Sequence, residues 1–209
     1  MKKRRDDLLK GPKEKAIEAI KAGKTEEAIK FVEELAEDSH PVHDRMSEWS
    51  NALLTYIGEK LGEEAVLDAT RRLMNEIYSD RFEQLRELSH EEIVQWNVRS
   101  ARTHFSKFYV EEDDEKTAIV ITNCGAGGRL MKEGKYDISD RHPINWGTTK
   151  KAYPWCHNTV GMPWYCVHVY VWEEICQKAG LKMRNQWGCQ YDKDGNPIDD
   201  PCRYVVYKK

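Results

Sequence analysis

The sequence predicts an α+β protein in which N-terminal helices precede an antiparallel sheet packed with helices. Three observations carry this expectation. Apolar side chains recur at helical spacing through the first hundred residues; after Ser106 the period shortens to two; and the chain closes on a second alternating segment, so strands follow helices rather than alternating with them. A chain of 209 residues suffices for one sizeable core plus a helical appendage. The expected division is a helical region over 1–84 and an α+β domain over 85–209.

Taken in order, Gly11-Pro12 opens a helix carrying Ala16, Ile17 and Ile20, and Gly23 ends it. Thr25 is the expected N-cap of a second helix with Ala28, Ile29, Val32, Leu35 and Ala36 on one face. This hairpin is a packing or dimerisation element, so self-association through the N-terminal helices is an expected partnership. Pro41 restarts the chain. Trp49, Leu53, Tyr56, Ile57 and Leu61 then mark a third amphipathic helix ended by Gly62, and a fourth follows over 63–78. Ser89 with Glu92 is a capping box for a fifth, whose Ile93, Trp96, Ser100 and His104 share one register and turn His104 inward.

Phe108 and Val110 alternate, Asp113 to Lys116 supplies a turn, and Thr117-Ala-Ile-Val-Ile-Thr122 is rich in β-branched residues, which together predict a hairpin. A second hairpin is expected from Trp187–Tyr191 and Cys202–Tyr207 around Asp194-Gly-Asn-Pro197, with Cys189 opposite Cys202.

Charged residues make up 33%, aromatics 10%, and the net charge is −3. That balance lacks the basic excess of a nucleic-acid binder. Met1-Lys-Lys-Arg-Arg5 is followed by Asp6-Asp7 rather than an apolar run, so no signal peptide is expected. Nor is there a stretch near the ~18 apolar residues of a membrane span. The expected setting is cytoplasmic, with no membrane partner and reduced thiols. All six cysteines (124, 156, 166, 176, 189 and 202) lie in the second half, which points to thiol chemistry, metal ligation or plain burial.

Cys124-Gly-Ala-Gly-Gly-Arg129 follows a predicted strand. Gly125, Gly127 and Gly128 can turn successive N–H groups into an anion nest, and Arg129 can clamp a carboxylate, which makes these four substrate-binding candidates. The same glycines equally serve a sharp turn.

The stretch Pro154–Glu174, PWCHNTVGMPWYCVHVYVWEE, admits two regular readings. As a helix from Pro163 to Ala179, it turns Trp164, His168, Trp172 and Ile175 to one face and Cys166, Tyr170, Glu173 and Gln177 to the other. As a strand, it projects Cys166 and His168 together. The end signals favour helix, in which Cys166 and His168 lie about 200° apart.

Cys124, Cys156, His157, Cys166 and His168 form a candidate zinc or iron set, since thiolate and imidazole suit those ions. Their spacings depart from the paired C-x₂-C pattern, and burial as inert thiols is the alternative. A catalytic thiol needs a lowered pKa, from a helix N-terminus or a neighbouring histidine. Cys166, in the first turn after Pro163, and Cys124, at the glycine loop, are candidate nucleophiles. His157 and His104 are candidate bases, and Trp155 and Tyr170 candidate substrate contacts.

The order of elements over 85–207, with Cys124 after the first hairpin, Cys166 at a helix start and Cys202, Tyr204 and Val206 on the last strand, resembles the L-2-amino-thiazoline-4-carboxylate hydrolase-like proteins. More distantly it resembles the 4-vinyl reductase-like small-ligand-binding domains. The first resemblance implies a pocket between sheet and helices and hydrolysis of a small cyclic C=N substrate bearing a carboxylate; the second implies small-molecule binding without chemistry. The expected function is thus a small-molecule hydrolase with a Cys/His site beside a glycine loop. The alternative is a metal- or ligand-binding sensory module, and a scaffold with a Trp-rich core is the third.

Overall fold

The computed structural model describes residues 10–136, 143–188 and 201–208. The chain divides into two compact units, Met1–Met46 and Ser47–Lys209. Within the second unit, Val66, Leu67 and Leu85 share one hydrophobic core with Ile93, Ile119 and Trp172.

In the first unit, Pro12 pre-sets the backbone at the start of α1 (Pro12–Lys21). Gly23, at φ +70°, lets the chain reverse into α2 (Thr25–Leu61). The hairpin forms as expected, but its buried positions are the small Ala16, Ala19 and Ala28, while Ile20 and Val32 are 65% and 57% exposed. Helix α2 does not restart at Pro41. It runs through that residue, giving up only the hydrogen bond that proline cannot donate.

In the second unit, the C-terminal part of α2 turns inward a face that hydropathy alone does not single out. Ser47 and Asn51 are buried, while Trp49 is 63% exposed and Leu53 and Tyr56 are exposed as well. Buried partners explain the inversion: the Tyr136 hydroxyl donates to Asn51 Oδ1, and the Tyr165 hydroxyl pairs with Ser47. Two turns beyond Asn51, the Trp164 ring lies where a Cβ on Gly58 would come within 2.3 Å of it.

Gly62, at φ +92°, separates α2 from α3 (Glu63–Tyr78). A short 3₁₀ turn and α4 (Phe82–Glu87) lead to α5 (His90–Thr103). The capping box predicted for α5 is present: Ser89 Oγ accepts from the Glu92 N–H at 3.3 Å, and the Ser89 N–H donates to Glu92 Oε2 at 2.8 Å.

Strands β1 (Lys107–Glu112) and β2 (Lys116–Asn123) flank a turn in which Asp113 Oδ1 accepts from the N–H groups of Glu115 and Lys116. With β3 (Met183–Gln186) and β4 (Cys202–Tyr207) they form an antiparallel sheet in the order β1-β2-β4-β3. The α+β expectation therefore holds. Strand β3 lies four residues earlier than expected, with Gln186 opposite Arg203. There the buried Met183 and Asn185 alternate inward, and the Asn185 N–H donates to buried Glu173 at 2.6 Å. Cys189 and the turn at 194–197 fall outside the described residues. Ile119 and Ile121 of β2 face the core shared with α5, whereas Ala118, Val120 and Val205 form a small cluster apart from it.

Residues 164–178 are helical: a 3₁₀ turn over Trp164–Cys166 leads into α7 (Val167–Lys178), and Gly180 stops it at φ +83°. The shorter α6 (Gly127–Lys132) follows the glycine loop. Trp164, Trp172 and Ile175 are buried as predicted, but so are Val167, Val171, Glu173 and Cys176. Helix α7 is thus core on nearly every side. Among the described residues no helix is long and apolar enough to cross a membrane.

Candidate functional site

Two cavities meet at the N-terminal end of α7. The smaller, with a free volume of about 50 Å³, is bounded by the end of α5, the Cys124–Gly128 loop, the first turn of α7, Trp187, and Cys202 with Tyr204 of β4. It could hold several waters or a compact polar group, since one water needs roughly 10–15 Å³ on this measure. The larger, of about 200 Å³, is walled by Met74, Tyr78, Trp96 and Trp172 together with Asn97 and Ser100. His104, Tyr165, His168, Val169 and Tyr204 line both.

Cys166 is the N-cap residue of α7, where the helix dipole favours a thiolate. The glycine loop is shaped by what presses on it. A Cβ on Gly127 would stand 2.8 Å from Cys166 Sγ, and one on Gly125 would stand 1.9 Å from the His104 carbonyl oxygen. The loop therefore brings its own backbone against the thiol and against the end of α5. Ser106 fastens it by accepting from the Gly125 N–H at 3.2 Å.

His168 is half-buried, and loss of water around its ring holds its pKa below the ordinary histidine value. Its Nδ1 lies 2.6 Å from the Tyr165 carbonyl oxygen. A carbonyl only accepts, so Nδ1 carries the proton and Nε2 is the basic nitrogen. The His104 ring stands 6.4 Å from the His168 ring, centroid to centroid. Burial raises the phenols of both Tyr165, to about 12, and Tyr204, with Cys124 and Cys166 among the nearby groups that raise them further. Both phenols are neutral hydrogen-bonding groups at physiological pH.

The structure thus brings together Cys124, Cys166, His104, His168, Gly127 and Gly128 along one cavity. Cys166 and His168 border it together although they lie on different sides of the helix, because a cavity at a helix end is ringed by its whole first turn. Gly125 shapes the loop from behind.

Other candidates lie elsewhere. Arg129 does not line either cavity; its Nε donates to the Gly125 carbonyl at 3.2 Å and its Nη1 to Glu133 at 2.7 Å, so it braces the loop. Glu133 also pairs with Lys135, which reaches Glu48 at 2.6 Å.

Cys156 is fully buried. Its Sγ accepts from the Tyr153 N–H at 3.1 Å and lies 3.1 Å from the Thr159 carbonyl oxygen, which ties one turn. Trp155 stacks on Tyr153 at 4.7 Å. His157, left-handed at φ 53°, sets its ring edge-on to Tyr170 at 6.4 Å. None of Trp155, Cys156, His157 and Tyr170 lines either cavity. The five residues considered as a metal set are divided accordingly, and among the described residues no group of three or more His, Cys, Asp or Glu is placed to hold a metal ion.

Cys202, Tyr204, Tyr165 and Ser106 also line the smaller cavity, beyond the candidates that the sequence offers. The signal for the first two was present, since Cys202 and Tyr204 are two apart on a strand and share a face. Tyr165 and Ser106 carried none. No family model, curated protein or solved structure matches the chain.

Proposed function

We propose that the protein is a cysteine-dependent hydrolase of small molecules, with Cys166 as nucleophile and His168 as general base. The observation that carries this is the position of Cys166 at the N-terminus of α7, in one cavity with a half-buried histidine whose Nδ1 is engaged by a backbone carbonyl. The resemblance of residues 85–207 to the L-2-amino-thiazoline-4-carboxylate hydrolase-like proteins supports the reaction class.

In the reaction, the Cys166 proton passes to His168 Nε2 and the thiolate adds to the sp² carbon of a C=N or C=O centre. The adduct collapses by breaking a C–N bond, and the nitrogen leaves with the proton from the imidazolium. Water then gives a proton to His168, its oxygen adds to the same carbon, and the C–S bond breaks. Sγ recovers the proton, leaving the enzyme unchanged. The first N–H groups of α7 favour the negative charge of each adduct. Arg129 is not assigned as the carboxylate anchor, because Glu133 and the Gly125 carbonyl engage it.

The test is alkylation by iodoacetamide at pH 7, followed by peptide mass spectrometry. Cys166 is expected to react at least tenfold faster than Cys124 or Cys202, and His168→Gln to slow it by a similar factor while circular dichroism stays native. Equal rates at the three thiols would sink the assignment. Small uncharged amides are the first substrates to assay, because no charged side chain lines either cavity among the described residues, with Cys166→Ser as the inactive control.

Self-association is proposed on the apolar side chains left exposed: Ile20, Val32 and Val42 in the first unit, Trp49, Leu53 and Tyr56 in the second. Light scattering should give at least a dimer for the wild type and a monomer for Val32→Glu with Trp49→Glu. A monomeric wild type refutes it.

A further inference from the structure

We infer that the larger cavity is a binding chamber for a flat, uncharged ring, and that it delivers the reactive end of that ligand to Cys166; the second half rests on the hydrolase reading above. Adjacency is the first ground. Five residues line both cavities, His104 and His168 among them, so the two lie wall to wall and only those side chains stand between a ligand in the larger one and Cys166.

Size is the second ground. A dry apolar cavity of about 150 Å³ takes a benzene ring, and this one has about 200 Å³. The smaller cavity, at about 50 Å³, has no room for a ring but admits an amide- or amidine-sized group. The order of the ligand follows, with the ring against the wall that Tyr78, Trp96 and Trp172 form and the electrophilic carbon toward Cys166.

Wall chemistry is the third ground. Trp172 stands 5.0 Å from Tyr78 and 6.0 Å from Trp96, centroid to centroid, forming an aromatic wall. That wall is held rigid: Trp172 Nε1 donates to Asn97 Oδ1 at 3.0 Å, and Asn97 Nδ2 donates to the Ile93 carbonyl at 2.8 Å. Rigid aromatic faces favour offset stacking with a planar ring. No Lys, Arg, Asp or Glu appears among the described residues lining either cavity, and His168 is held neutral. An ionised ring substituent would lose its water and meet no opposite charge.

The experiment is a titration of the full-length protein with acetanilide, followed by tryptophan fluorescence, with acetamide as the ringless control. Saturable binding of acetanilide, at least tenfold tighter than that of acetamide, is expected. Ser100→Leu, which fills the chamber from a helical position without removing a core side chain, should weaken acetanilide at least tenfold. Acetanilide should also slow iodoacetamide labelling of Cys166 at least threefold in the wild type and not in Ser100→Leu.

Absence of saturable binding, or equal affinity in the variant, overturns the chamber. Binding that leaves the labelling of Cys166 unchanged overturns the delivery to Cys166. A Cys166 that iodoacetamide does not modify defeats the hydrolase reading and the delivery, while the fluorescence titration still decides the chamber.

Discussion

Replacing Gly127 with alanine isolates the contact that shapes the proposed site. Its φ is not in the left-handed region, so alanine meets no backbone strain. As the first residue of α6, the position would even gain helix propensity, by at most about 1 kcal/mol. Against that gain, the new methyl would stand 2.8 Å from Cys166 Sγ, closer than two such atoms approach. Overpacking costs about 1–3 kcal/mol; Sγ ends a single rotatable bond and can swing aside, which sets the cost at about 1 kcal/mol and the net destabilisation between about 0 and 1 kcal/mol.

Cys166→Ala removes the sulfur and with it the clash. The double variant should therefore be more stable than the sum of the single losses, with a coupling of about 1 kcal/mol. Urea unfolding of the four proteins gives this number directly. Gly127→Ala should also slow alkylation of Cys166, because the thiol must rotate away from the loop. Strict additivity, together with an unchanged alkylation rate, would show that Gly127 is not a glycine on account of Cys166.

Three further outcomes are expected. Stability should fall on both sides of a plateau near pH 7–8.5. Burial lowers the folded-state pKa of His157 and His168, so their contribution is present above the unfolded value of about 6.5 and lost as pH falls through it. Burial raises Tyr136, Tyr165, Cys176 and Tyr204, so theirs is lost as pH rises past about 8.5 for the thiol and 10 for the phenols; a melting temperature flat from pH 7 down to 5 would contradict the histidine part. Gly58→Ala, which in an open helix would stabilise by about 1 kcal/mol, should destabilise by about 2 kcal/mol or more, because its Cβ meets the Trp164 ring at 2.3 Å; thermal unfolding gives the sign. Cys156→Ala should cost about 1–3 kcal/mol by leaving the Tyr153 N–H without its acceptor, yet leave Cys166 alkylation at its wild-type rate; a slowed rate would tie the Cys156 turn to the site after all.

Local signals sufficed where one segment decides its own conformation. The capping box at Ser89 and Glu92, the stop at Gly180, the Asp113 turn and the helical register carrying Trp96, Ser100 and His104 are short-range physics, and each appears as expected. The close approach of Cys124, the glycine loop and Cys166 was half legible, because each stood at an element end where site residues collect. Their convergence, however, depends on the sheet order.

Hydropathy failed on α2, where Asn51 and Ser47 are buried and Trp49 is exposed. The partners that make polar burial favourable, Tyr136 and Tyr165, are distant in sequence. His157 and Cys156 drew notice by composition alone, whereas the structure uses Cys156 to tie a turn. His168, a candidate metal ligand in the sequence, is the base of the proposed reaction because the Tyr165 carbonyl, three residues back, orients its ring.

The amino-acid sequence by itself therefore determined the α+β class, most helix ends and the first hairpin, all set by periodicity, caps and turns acting within a few residues. Only the tertiary structure decided which face of α2 is buried, which cysteines and histidines line one cavity, and that a second cavity shares its wall at the head of α7. Those outcomes depend on side chains far apart in the chain arriving at the same place, and no local pattern encodes such a meeting.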